Sequence, residues 1–440
     1  MIIDGKTPYA YRGEIFHILK NPLEAGNTDE AYQYFKDGIL LVEVGKIKKL
    51  GPAAEILPEL SDDTTLKSYE NSIIMPGFID NHIHYPQVKA MAAPGGQLLD
   101  WLNKYIFPAE AALKDKAVAD ELADFFLNQL FRSGTTAATV YCSIHKNSVN
   151  ALFEVAEKYD MCLNAGKVLM DRNGPDGMDY DSPESVYEDS VELIKKWHGK
   201  DRFSYVLTPR FAPACSRKIL ETISKLYQEY PDTYCQTHLS ENQAEIAWVA
   251  ELFPECESYL DVYDKYHLLG KRSLFGHALH LSDKDFAKVK STGSVLCPCP
   301  LANFFLGSGL YKFEKAREYQ IRTALGSDIG AGNSFSMFAV MDEAYKMAQL
   351  QNYQLSPLEA FYLTTLGNAS ALLLDDRIGN LEPGKDADFI VVDLHSTPLI
   401  EYRMKTVDSL MDKLFVMMMM ADDRAIKETY VYGNQVYSRN

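Results

Sequence analysis

Four short stretches of this 440-residue chain carry side chains that bind metal ions and move protons. They are His82-Ile-His84, His238-Leu-Ser-Glu241, His277 with His280 three residues on, and Ser327-Asp328. Residues two apart on a strand project from one face, so His82 and His84 can reach the same ion. Three imidazoles (His82, His84, His238) and the Asp328 carboxylate suit one zinc ion, or iron(II), with a position left open for water. His277 is then a fourth imidazole, either a further ligand or a hydrogen-bond partner beside the metal. A water on such a site loses a proton near neutral pH and becomes a nucleophile. Glu241 can carry that proton to a ring nitrogen and on to a leaving amine. Asp328 can accept a hydrogen bond from the nucleophile while touching or ligating the metal.

Each piece alone has an ordinary explanation: a solvent-exposed His-x-His, a strand-end histidine, an aspartate in a turn before glycines. What argues for chemistry is where they fall. Eight apolar segments ending in polar residues alternate with helical patterns: 72–84, 134–143, 163–171, 204–211, 233–241, 273–280, 293–299 and 322–328. Amphipathic stretches such as 117–133 and 216–230 lie between them. Eight strand-then-helix units predict an α/β fold, a (β/α)₈ TIM barrel, whose active site lies at the C-terminal ends of its strands. The four stretches fall at the ends of the first, fifth, sixth and eighth segments. Binuclear sites of this kind bridge two metals with a modified lysine at the end of the fourth strand. The fourth segment ends Leu207-Thr-Pro-Arg210-Phe211, and Lys167 sits on the third, so one metal is expected.

The two chain ends read differently. Gly38 to Ile47 alternates as strands of a small sheet, Asp388 to Asp393 is a strand, and Glu428 to Val436 is a hairpin with a Gly-Asn turn. Neither end can bury a core alone. They are expected to pack together as a small β-sandwich domain, 1–73 with 377–440, around a barrel of 74–376.

The composition limits the partners. A formal charge of −17 repels phosphate backbones, so nucleic acid is not expected, although a free base carries no such charge. No run of about 18 apolar residues occurs, so no membrane span is expected. Met1 to Glu14 lacks the basic start and apolar run of a secretory signal. Seven scattered cysteines, an odd number, argue for a reducing, cytoplasmic setting. Met417 to Met420 reads as buried core or as a contact between copies.

On further residues the chain resembles the guanine deaminases of the amidohydrolase superfamily, over nearly its whole length. The resemblance is carried by Met75-Pro-Gly-Phe-Ile-Asp80-Asn-His82-Ile-His84-Tyr-Pro-Gln87, by Asp100-Trp101-Leu through Phe107-Pro108-Ala-Glu110, and by Thr208-Pro-Arg210-Phe211. His238-Leu-Ser-Glu241-Asn242, the segment 258–264, Gly379 to Asp388 and Asp422 to Gly433 follow in the family's order. It implies a metal site of His82, His84, His238, His277 and Asp328, with Glu241 as proton shuttle. It implies that Gln87 and Arg210 read the polar edge of guanine, with Phe211 and Trp101 against its face. A guanidinium is a good donor to the guanine carbonyl. The implied reaction is hydrolysis of guanine to xanthine and ammonia, and a homodimer is the implied assembly. One stretch departs from the pattern. Where the family has His-Cys-Pro, polar residues and Asn, this chain reads Cys297-Pro-Cys299-Pro300-Leu-Ala-Asn303, with Pro298 in place of the histidine. The change leaves every proposed ligand in place and bears on the pocket mouth, hence on substrate choice. Rival readings are the same machinery on another aminopurine, a pterin, an s-triazine or a cyclic amide, and a barrel kept only for binding. A cytidine-deaminase fold needs His-x-Glu and Pro-Cys-x-x-Cys, which the chain lacks.

Overall fold

The structure is a computed structural model, and it describes residues 8–94, 98–175 and 180–439. Residues 1–7, half of the stretch read above for a leader, lie outside the described residues. Four strands come first: β1 Tyr9–Ile18, β2 Tyr32–Glu43, β3 Lys46–Pro52 and β4 Thr65–Pro76. Nine form the barrel: β5 Phe78–His84, β6 Thr135–Tyr141, β7 Cys162–Gly166, β8 Val168–Leu169, β9 Phe203–Pro209, β10 Tyr234–Leu239, β11 Ser273–His277, β12 Val295–Cys297 and β13 Arg322–Thr323. Three close the chain: β14 Phe389–Asp393, β15 Ile426–Val431 and β16 Asn434–Ser438.

The two ends share one seven-stranded sheet, in the order β16-β15-β14-β4-β1-β2-β3. Its seam is the antiparallel pairing of β14 with β4, where Val391 faces Ile74 and both are fully buried. The sheet curls until β3 meets the segment before β14, through Ile47 N–H to Lys385 O (2.9 Å) and Ala387 N–H to Gly45 O (2.9 Å). The curl encloses Tyr11, Leu40, Phe389 and Tyr430, the last two stacked with ring centroids 4.3 Å apart. So the ends do pack together, as a curled continuous sheet. The hairpin turn is one residue earlier than expected. Val431 pairs with Asn434, which makes Tyr432 and Gly433 the turn, with φ of 49° and 76°. A two-residue turn of this hand needs positive φ at both positions, and glycine meets the second without steric cost.

The barrel strands run parallel in the order β5-β6-β7-β9-β10-β11-β12-β13, with short β8 beside β9. The third and eighth segments hold shorter ladders than their apolar patterns suggested. Past β13 the chain still runs beside β5 and closes the barrel, through Asn81 N–H to Leu325 O (3.2 Å), Asp328 N–H to His82 O (2.8 Å) and His84 N–H to Ile329 O (3.2 Å). That closure is what brings the first and eighth strand ends together. Helices cover the outside. Helix Lys116–Arg132 starts at Asp115, whose side chain accepts from the N–H groups of Ala117 and Val118. It buries Leu122, Ala123, Phe126, Leu127 and Leu130 along one stripe. Met417 and Met418 are buried at the end of helix Leu410–Met420. Among the described residues no helix is long and apolar enough to cross a membrane.

Candidate metal centre and active site

His82 and His84 leave β5 on the same face and meet His238 from β10 at the barrel's C-terminal end. The Nε2 atoms of His84 and His238 are 3.2 Å apart. Two nitrogens on one tetrahedral zinc would be separated by about 3.3 Å, from Zn–N bonds of 2.0–2.1 Å. Asp328 Oδ1 lies 3.5 Å from His82 Nε2 and 3.4 Å from His84 Nε2, at the edge of the same small volume. The ligand atoms of His82, His84 and His238 all fall within 4.8 Å of one another. His82 Nε2 is buried and has no hydrogen-bond partner, which is costly unless an ion takes its lone pair. His238 Nδ1 donates to the Arg210 carbonyl (2.6 Å), which leaves its Nε2 free to bind metal. These residues fit a divalent cation.

Electrostatics agree with that fit. Burial drives the pKa values of His82, His84 and His238 below the ordinary histidine value, so they are neutral and able to coordinate. Burial alone would raise the Asp328 pKa, but the imidazoles crowded around it, His82 first and then His277 and His84, hold it well below the carboxylate range. His277 stands on the far side of Asp328, its Nε2 3.7 Å from Oδ2 and 3.4 Å from Glu241 Oε2. Its Nδ1 is paired with Asn303 Oδ1 (2.8 Å). Burial opposes charge on this ring, but the Glu241 and Asp328 carboxylates raise its pKa above the usual value. Glu241 is pushed up to about 7, chiefly by burial, with Glu245 and Asp328 adding to it, and Ser308 donates to its Oε1 (3.3 Å). His277 and Asp328 both adopt left-handed backbone, with φ of 64° and 52°, a local cost of the kind that accumulates at functional sites.

A cavity opens beside this cluster. Gln87, Trp101, Arg210 and Phe211 line it together with His84, His238, Glu241, His277 and Asp328. All the site residues picked from the sequence are therefore together, except that His82 lies just behind the lining. Trp101 is held by its Nε1 donating to Ala93 O (3.2 Å), and Phe211 meets Trp248 edge-on at 6.2 Å. His280 stands apart: it is paired with Gln243 and with the Ser308 carbonyl, so it braces the wall. Lys167 is buried in an ion pair with Asp181 (2.5 Å).

Five residues were not singled out by sequence reasoning. Glu110 accepts from Gln87 and from Arg210. Tyr141, at the end of β6, stacks on His84 at 4.3 Å. Asn303 orients His277. Glu245 accepts from the Glu241 and Asn242 N–H groups. Cys299 has its sulfur within 4.8 Å of ligand atoms on His82, His277 and Asp328. Glu110 and Asn303 sat inside family-like motifs, which was a signal. Tyr141 ended a strand segment but carries no chemistry that marks it.

Comparison with known proteins gives the same picture. Residues 73–436 match the model of the Amidohydrolase family. The chain is 46% identical to the guanine deaminase of Escherichia coli K12 over 440 residues, all of both chains. Its structure superimposes on that of E. coli guanine deaminase with a TM-score of 0.96, over 98% of this chain and 100% of the other. With guanine deaminase from C. acetobutylicum, solved with guanine in its active site, the TM-score is 0.87 at 29% identity, covering 98% and 100% of the two chains.

Proposed function

This chain belongs to the amidohydrolase family, a family of hydrolases, and we propose that its reaction is the hydrolytic deamination of guanine to xanthine and ammonia. The observation that carries the proposal is its full-length identity of 46% to a guanine deaminase, on a site whose acceptor and donor suit a guanine edge.

His82, His84, His238 and Asp328 would hold one divalent cation, zinc by donor type, with iron(II) equally suited to the set. When bound, that ion supplies the Lewis acidity that makes water nucleophilic near neutral pH. The remaining work is done by the chain. Gln87 and Arg210 orient the base by its polar edge, and Phe211 and Trp101 offer flat apolar surface; base–aromatic stacking is worth about 1–3 kcal/mol. Glu241 takes a proton from water as the oxygen bonds to C2 and delivers it to the adjacent ring nitrogen. Glu241 then takes the second proton, from the new C2 hydroxyl, and gives it to the amine as the C2–N bond breaks, so that ammonia leaves and the C2 carbonyl of xanthine forms. A shuttle must both accept and release protons near neutral pH, and a Glu241 pKa of about 7 supports that role. His277 stands between Glu241 and Asp328, its Nε2 3.4 Å and 3.7 Å from their nearest oxygens, close enough to hold both carboxylates in place. All seven cysteines are free, which supports a reducing, cytoplasmic setting. A homodimer is the proposed assembly, checked by light scattering.

The test is ammonia release from purified, zinc-loaded protein with guanine, read beside adenine, cytosine, a pterin and an s-triazine. Release with guanine alone is expected. Release only from another ring would keep the hydrolase and move the substrate, with the Pro298 stretch the first place to look.

A further inference from the structure

Glu110 does not line the cavity, yet it holds two polar groups that do, Gln87 and Arg210. It is 2% exposed. Its Oε1 accepts from Gln87 Nε2 at 2.9 Å, and its Oε2 accepts from Arg210 Nη1 at 2.5 Å. The guanidinium is also braced by the Phe107 ring, 4.7 Å from its centroid. An ionised carboxylate only accepts hydrogen bonds. It therefore binds the NH₂ end of the Gln87 amide and leaves the carbonyl oxygen as the end offered to a ligand. Arg210, a donor with no acceptor, keeps its remaining N–H groups for the same ligand. The cavity thus presents an acceptor beside a donor. That order matches a lactam edge, in which a ring N–H adjoins a carbonyl. It opposes an amidine edge, in which a ring nitrogen acceptor adjoins an exocyclic amine.

We infer that Glu110 is the positioning residue that sets this acceptor–donor order, and so selects 6-oxo purines over their 6-amino counterparts. The inference rests on the guanine reading above. Without a carboxylate at 110 the Gln87 amide is free to turn over, and the selectivity it carries goes with it. A neutral Gln at 110 can itself donate to the Gln87 oxygen, which turns the NH₂ end toward the ligand.

The test compares kcat/KM for guanine with that for 2,6-diaminopurine, which loses the same C2 amine but carries the amidine edge. In Glu110→Gln the ratio of the two is expected to fall at least about tenfold, with metal content unchanged, because a site built around particular hydrogen bonds rejects their reversal. Equal loss on both substrates would mean that Glu110 only supports the fold, and would overturn the inference, as would an unchanged ratio. Removing a buried charge can prevent folding, so Gly330→Ala provides a second probe that leaves the ion pair whole. A Cβ there would lie 2.7 Å from Gln87 Cβ and 2.8 Å from its Oε1, and so displaces the amide from the place where Glu110 holds it. The ratio should fall at least about threefold, and a ratio equal to wild type would also overturn the inference. A wild-type chain that releases no ammonia from guanine overturns the parent reading instead.

Discussion

The Nε2 atoms of His84 and His238, 154 residues apart in the chain, lie 3.2 Å from each other in the buried end of the barrel. Neighbouring His82 Nε2 and His277 Nε2 have no hydrogen-bond partner. Convergent, desolvated nitrogens are stable together when they share a cation. Purified protein is expected to carry about one zinc or iron per chain, and His238→Ala to lose it. A site held at a hundred times its Kd contributes about 2.7 kcal/mol, so chelation should lower Tm measurably, and re-addition of zinc should restore it. A Tm indifferent to chelator, in protein shown by elemental analysis to have held metal, would count against this role.

Glu241→Gln removes the proton carrier while preserving size. General acid–base groups contribute about 10²–10⁴-fold, so kcat should fall by at least about a hundredfold. Metal content and guanine binding, read by calorimetry, should stay near wild type. Retained turnover would remove Glu241 from the mechanism.

Arg202 joins the barrel to the curled sheet. Its guanidinium is buried against Asp388 and, at 3.1 Å, Asp386, and it also donates to the Asp160 carbonyl (2.8 Å). Breaking a buried pair from one side leaves carboxylates uncompensated, a cost of about 3–5 kcal/mol. Arg202→Met should lower the urea midpoint accordingly. An unchanged midpoint would show that these aspartates find other partners.

His17 makes stability depend on pH. Its Nδ1 accepts from the Leu381 N–H (3.2 Å) and its Nε2 is paired with Gln33 Oε1 (3.0 Å), so both nitrogens of the neutral ring are used. Burial lowers its pKa from 6.5 to about 4. The unfolded chain takes up this proton near 6.5 and the folded chain only near 4. This contribution is full above 6.5 and is lost as pH falls toward 4, by at most about 3 kcal/mol. His17→Gln should flatten the decline of Tm between those values. Parallel curves for variant and wild type would exclude His17 as its source.

Much of this molecule was legible in the linear chain, for identifiable reasons. A strand repeats every two residues and a barrel gathers its strand ends at one face, so His82-Ile-His84, His238, His277 and Asp328 could be assigned to one place from spacing alone. Eight apolar segments with helices between them implied the barrel, and two ends too small for cores of their own implied that they would combine. What tertiary structure decided were relations between distant segments. Glu110 reaches Gln87 and Arg210, 23 and 100 residues away. Nothing in its neighbours' types reveals which groups its two oxygens will meet. Asn303 on His277 and Tyr141 on His84 are of the same kind. The two ends became one curled sheet because β14 found β4, a pairing written in no local pattern. Periodicity and residue chemistry are local and survive in sequence. The partner of a buried polar group depends on chain path, and only the closed barrel sets that.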